Sequence, residues 1–168
     1  MHGTGKTTDT TLKTSNKTDH TTMQPNDISA VLGSLSREDG TGEIPIGIRW
    51  QTLFAKLKEL GISYEKDGYS VQCSDGTSYY GDDRMVEDIN LMQTTKGLRV
   101  GDPVGKVLEL YGEISVVYHN DLWYYAYRFA QGIDFHVGAD GDGKDATVTF
   151  ITISKIPSWA NESFDGGE

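Results

Sequence analysis

The segment GIRWQTLFAKLKEL at 47–60 returns in altered form as GLRVGDPVGKVLEL at 97–110. Aligned without gaps at an offset of 50 residues, the two share Gly, Arg, Lys, Glu and Leu, and Ile/Leu, Phe/Val and Leu/Val match in kind. Repetition at this period points to a small supersecondary unit used twice. One such unit cannot bury its apolar face alone, but it can do so beside a copy.

Each copy carries the pattern of a short amphipathic helix. In the second, Asp102 suits an N-cap and Pro103 the first helical position. Val104, Val107, Leu108 and Tyr111 follow at helical spacing, and Gly112 fits a left-handed C-cap. In the first, Thr52 is the expected cap, Leu53, Phe54, Leu57 and Leu60 form the stripe, and Gly61 ends it. Strand-like runs follow each helix. ISYEKDG, YSVQCSDG, TSYYGDD and MVEDINLMQ come after the first, and ISVVYHND, LWYYAYRFAQG, IDFHVGADGDG and ATVTFITIS after the second. Asp67-Gly68, Asp75-Gly76, Asn120-Asp121 and the GADGDGKD run mark hairpin turns. The expected fold is therefore α+β. Two tandem units at 44–93 and 94–156 would each place one or two short helices on a three- to four-stranded antiparallel sheet.

Outside these units, residues 1–24 contain no Val, Ile, Phe, Tyr or Trp, so they predict a disordered polar tether. Their GTGKTT lacks the length and the preceding strand of a phosphate loop. Residues 25–43 predict a short helix, with Ile28, Val31, Leu32 and Leu35 on one face, and a loop; 157–168 predict a flexible acidic tail. The formal net charge of −10 argues against a nucleic-acid partner, which needs a basic surface. The single cysteine, Cys73, sits in an alternating run and reads as a buried thiol.

KGLRVGDPVGKVLELYGE resembles the helix-opening signature of bacterial outer-membrane lipoproteins of the SmpA/OmlA type. It is also similar to the tandem units of the beta-lactamase inhibitor proteins. Gly97, Leu98, Val100, Gly101, Asp102, Val107, Leu110, Tyr111 and Gly112 carry the likeness, with Gly47, Ile48, Leu57, Leu60 and Gly61 as its weaker earlier copy. The resemblance implies an extracytoplasmic, non-enzymatic module used for protein contacts and tethered to the cell envelope, its signal segment removed. This chain departs from the pattern in lacking a lipidated cysteine ahead of the tether.

Chemistry-bearing candidates are sparse. His119, Asp121, Asp134 and His136 lack the converging spacing of a zinc site. Asp140, Asp142 and Asp145 resemble a calcium loop, but its fifth, sixth and twelfth positions hold Lys144, Asp145 and Ile151 in place of Asp or Asn, Gly and Glu. No catalytic constellation is visible, and no cofactor or metal is expected. The strand LWYYAYRF is more informative, with Trp123, Tyr125, Tyr127 and Phe129 on one face and Leu122, Tyr124, Ala126 and Arg128 on the other. The all-aromatic row predicts core. Ile133, Phe135 and Val137 would also point inward, with Asp134 and His136 outward. An open face bearing Tyr124, Arg128, Asp134 and His136 is the expected binding surface of a monomer for a protein partner, since Tyr and Arg favour interfaces. The alternatives are carbohydrate or small-molecule binding through exposed aromatics such as Trp123 and, less favoured, a metal-dependent hydrolase.

Overall fold

A computed structural model of the protein describes residues 35–155. The expected tether at 1–24, residues 25–34 of the expected helix-and-loop segment 25–43, and the tail at 157–168 lie outside the described residues. Within them the fold is α+β. Helix α1 (Trp50–Glu59) is followed by strands β1 (Tyr64–Asp67), β2 (Ser70–Cys73), β3 (Ser78–Gly81) and β4 (Val86–Leu91). Helix α2 (Val104–Tyr111) is followed by β5 (Val116–His119), β6 (Leu122–Phe129), β7 (Ile133–Ala139) and β8 (Val148–Lys155). Seven of the eight strands fall inside the runs read from alternation, and β8 passes the end of its run by one residue, Lys155. All eight form one antiparallel sheet in the order β1-β2-β3-β4-β8-β7-β6-β5.

Both helices bury their stripes against one face of this sheet. Leu53 and Leu57 of α1 and Val104 and Val107 of α2 share a core with Val71, Tyr79, Ile89, Tyr125, Phe135, Val137, Ile151 and Ile153. Across the β4–β8 seam, Ile89 pairs with Ile153 and Leu91 with Ile151, so the core runs unbroken beneath both helices. Cys73 is a free thiol at the edge of this core. Burial, with a contribution from the nearby Asp75 carboxylate, pushes its pKa up to about 12. Burial chiefly, then Glu113, pushes Tyr127 up to about 12 as well. Raised folded-state values mean that the stability tied to these groups is complete below their unfolded values, about 8.5 and 10. It is lost as pH climbs toward 12. The melting temperature is accordingly expected to fall as pH rises above ~8.5, with Cys73→Ala losing part of that dependence. Native Cys73 should also resist alkylation at neutral pH until the chain is unfolded, as a thiol-labelling time course will read.

The helix ends differ from expectation in instructive ways. Neither Thr52 nor Asp102 is the N-cap; Arg49 and Pro103 take those positions in extended conformation, without side-chain caps. At α2 the first amides are satisfied from far along the chain: Val104 N–H donates to the Ala146 carbonyl and Gly105 N–H to that of Lys144. Asp102 instead accepts the Arg99 amide at 2.8 Å and pairs with Lys106 Nζ at 3.3 Å. At the other end of α1, Gly61 N–H reaches the Lys58 carbonyl and Ile62 N–H that of Leu57. This is a Schellman ending, for which a left-handed residue is needed at Gly61 (φ 73°). Gly112 does not form the expected left-handed cap, since its φ of 92° and ψ of 172° are extended on the positive side. Leu60 is exposed and Leu108 only half-buried, so each stripe is narrower than its pattern predicts.

Candidate functional site

The face opposite the helices is built by strand alternation from the central strands β4, β8, β7 and β6. Two cross-strand rows follow from the register. One runs Tyr80, Asp88, Ser154, Asp134, Arg128; the other Ser78, Asn90, Thr152, His136, Ala126. The rows are knitted at the β4–β8 seam. Ser154 Oγ donates to Asp88 Oδ1 at 2.6 Å and Thr152 Oγ1 to Asn90 Oδ1 at 2.7 Å. Bonds of this kind contribute about 0.2–1 kcal/mol each and hold the side chains in fixed positions.

All four residues expected on the open face lie on it, and the structure brings them together. Arg128 and Asp134 are direct cross-strand partners, with Arg128 Nε 3.5 Å from Asp134 Oδ1. His136 Nδ1 lies 3.5 Å from Asp134 Oδ2. The Tyr124 ring meets His136 edge-on at 6.3 Å between centroids. Asp134 itself is only 5% exposed, and its Oδ1 makes no hydrogen bond. Its role is thus to anchor two neighbours rather than to meet a partner. A carboxylate this covered is tolerable only beside a charge of opposite sign, which Arg128 supplies.

Phe150 belongs to the same surface, two residues before Thr152 on the same side of β8, and the sequence reading did not single it out. The regular β7–β8 register sets Phe150 opposite Gly138, on the same outer side as Thr152 and Ser154, and a bulge shifts the pairing only beyond it, between Gly138 and Ala139. A Cβ on Gly138 would stand 2.1 Å from the Phe150 ring, so the glycine is the space the ring occupies. Phe150 then packs edge-on against Tyr124 at 5.7 Å, joining the aromatic end of the face to its ionic end.

The other candidates are dispersed. His119 pairs with Leu122 at one end of β6, whereas Asp134 pairs with Arg128 at the other, about 20 Å along the strand at ~3.3 Å per residue. Among the described residues, no group of three or more His, Cys, Asp or Glu side chains could hold a metal ion. In the β7–β8 loop, Asp140 accepts the Thr147 amide at 2.8 Å. Trp123 lies on the helix-facing side, half-buried, with its ring 4.7 Å from that of Tyr118. Phe129, though in the same row, is exposed at the end of the sheet.

A second polar cluster, which the sequence reading missed, lies at the far end of α2. Glu38 is 8% exposed and accepts hydrogen bonds from the Tyr111 and Thr95 hydroxyls. Tyr111 also lies 2.7 Å from Thr94 Oγ1, which accepts the Leu98 amide. Burial first, then the Glu38 hydrogen bond, pushes the Tyr111 hydroxyl well above its ordinary range. With a hydrogen bond to each carboxylate oxygen, the cluster ties the 35–44 loop to α2.

The chain matches no family model, no curated protein and no solved structure.

Proposed function

We propose that the chain is a protein-binding module that works through the outer face of its sheet. The observation that carries this reading is the pre-assembled surface of Tyr124, Phe150, His136 and Arg128. Register, the space left by Gly138 and a covered carboxylate hold these side chains in place before any partner arrives. A face ordered in advance loses little side-chain entropy on binding, and Tyr and Arg are residues that interfaces favour. The fold-level counterpart is that two tandem helix-plus-four-strand units meet at β4 and β8. Backbone contacts support it. Gly47 N–H donates to Val86 and Val86 N–H to Ile48; Gly101 N–H donates to Val148 and Val148 N–H to Asp102. The N-caps Arg49 and Pro103 follow each pair, with φ,ψ of −74°, 148° and −74°, 150°. In this correspondence the helices are offset by 54 residues, one turn beyond the sequence alignment (103 − 49 = 54). By resemblance, the setting is the bacterial cell envelope, with the module tethered outside the cytoplasm and not catalytic.

The test is capture of partners from a native cell envelope. The wild type is compared with a Tyr124→Ala, His136→Ala double variant, which leaves the Arg128–Asp134 pair in place. The variant is expected to melt cooperatively and to lose the wild-type partner. Full retention of every captured protein by the folded variant would show that this face is the wrong one.

A further inference from the structure

The two edges of the sheet are not alike. β1, at one edge, reads Tyr64-Glu65-Lys66-Asp67, and charged side chains of this kind deter a further strand from pairing. β5, at the other edge, reads Val116-Val117-Tyr118-His119, with neither Lys nor Pro and no register shift against β6. Val117 is 41% and Tyr118 55% exposed. Among the described residues no strand pairs with its outer side.

The hairpin geometry says which groups are on offer. β5 and β6 are joined by two residues, Asn120 (φ 53°) and Asp121 (φ 66°), a turn of the type that closes on a hydrogen-bonded pair. That pair is His119–Leu122, and by antiparallel alternation Val117–Tyr124 is the next. The amides and carbonyls of Val116 and Tyr118 therefore point away from the sheet. Their side chains lie on the helix-facing side, where Tyr118 stacks on Trp123.

Charge indicates what fits there. The strand is flanked by exposed Glu113 and Asp121 in a chain of formal net charge −10. A second copy pairing antiparallel about Val117 would set each Glu113 across from the other copy's Asp121, a like-charge contact that disfavours self-association. We infer that the β5 edge accepts an antiparallel strand from a different protein: an extended segment of alternating apolar residues with a basic residue at each end. Main-chain hydrogen bonds to Val116 and Tyr118 would supply the pairing, and Tyr118 and Val116 would pack its alternate side chains. This edge is separate from the outer-face surface, so either can fail without the other.

The probe is a synthetic peptide of alternating valine and threonine with a lysine at each end, beside a counterpart ending in glutamate. The lysine-ended peptide is expected to bind the full chain, more weakly as salt is raised. It should also slow hydrogen exchange at the Val116 and Tyr118 amides. Tyr118→Pro removes an outward N–H without breaking a bond to β6, so it should fold and lose the peptide. Tyr118→Thr keeps the N–H and should still bind. His136→Ala, on the outer face, should bind as the wild type does. Equal binding of the glutamate-ended peptide, protection at β1 instead of β5, or unimpaired binding by folded Tyr118→Pro would each overturn the inference. So would a wild-type chain that dimerises without peptide. If Tyr118→Pro fails to fold because the Trp123 contact is lost, hydrogen exchange in the wild type decides, and no added protection at Val116 and Tyr118 with the peptide overturns the inference.

Discussion

Phe135→Ala is expected to destabilise the fold by about 3–5 kcal/mol, measured by denaturant unfolding. Phe135 is fully buried in β7, with the Tyr111 ring at 4.8 Å and the Tyr127 ring at 5.9 Å. These rings are the link between α2 and the second half of the sheet. Their hydroxyls lead outward from the core, Tyr127 donating to the Gly112 carbonyl at 2.8 Å and Tyr111 to Glu38. Deleting Phe135 leaves a cavity that neither ring can fill without abandoning its hydrogen bond, so collapse is resisted and the cost should lie high in the range. Phe135→Leu, which keeps most of the volume, should recover much of the loss. A Phe135→Ala variant with an unchanged unfolding midpoint would refute the proposed packing.

Leu57→Ala should cost about 2–5 kcal/mol, a large share of the stability of a domain of this size. Leu57 is fully buried at the centre of the α1 stripe, and its carbonyl also accepts the Ile62 amide that closes the helix. The sequence places Leu108 in the same role in α2, but it is only half-buried; Val104 and Val107 face the core instead. Leu108→Ala is therefore expected to cost clearly less than Leu57→Ala. Paired thermal melts compare the two, and equal losses would mean that α2 is rotated relative to the arrangement described here.

The difference between Leu57 and Leu108 reflects which features a sequence can carry by itself. Helix and strand identity depend on neighbours a few residues apart. Alternation in LWYYAYRF was enough to separate the core row from the row of Tyr124 and Arg128, and Asn120-Asp121 was enough to mark a tight turn. Even the Gly61 ending of α1 is local, since all its bonds fall within six residues. The four outer-face candidates were legible for the same reason, because the side of a sheet is a matter of odd and even positions.

What only the tertiary structure decided involves partners distant in the chain. The start of α2 is set by carbonyls at Lys144 and Ala146, which take its first amides. The local preference for Asp102 as a cap is thereby overridden. Pro103, one residue further on, takes the position instead. The adjacency of β4 and β8, the seating of the Phe150 ring over Gly138 and the burial of Asp134 beneath its neighbours likewise rest on pairings made across strands. Periodicity encodes which way a side chain points relative to its own strand. Which strand lies beside it, and how much water is then excluded, is settled by the global minimum of apolar burial and backbone pairing, a sum over the whole chain that no single segment contains.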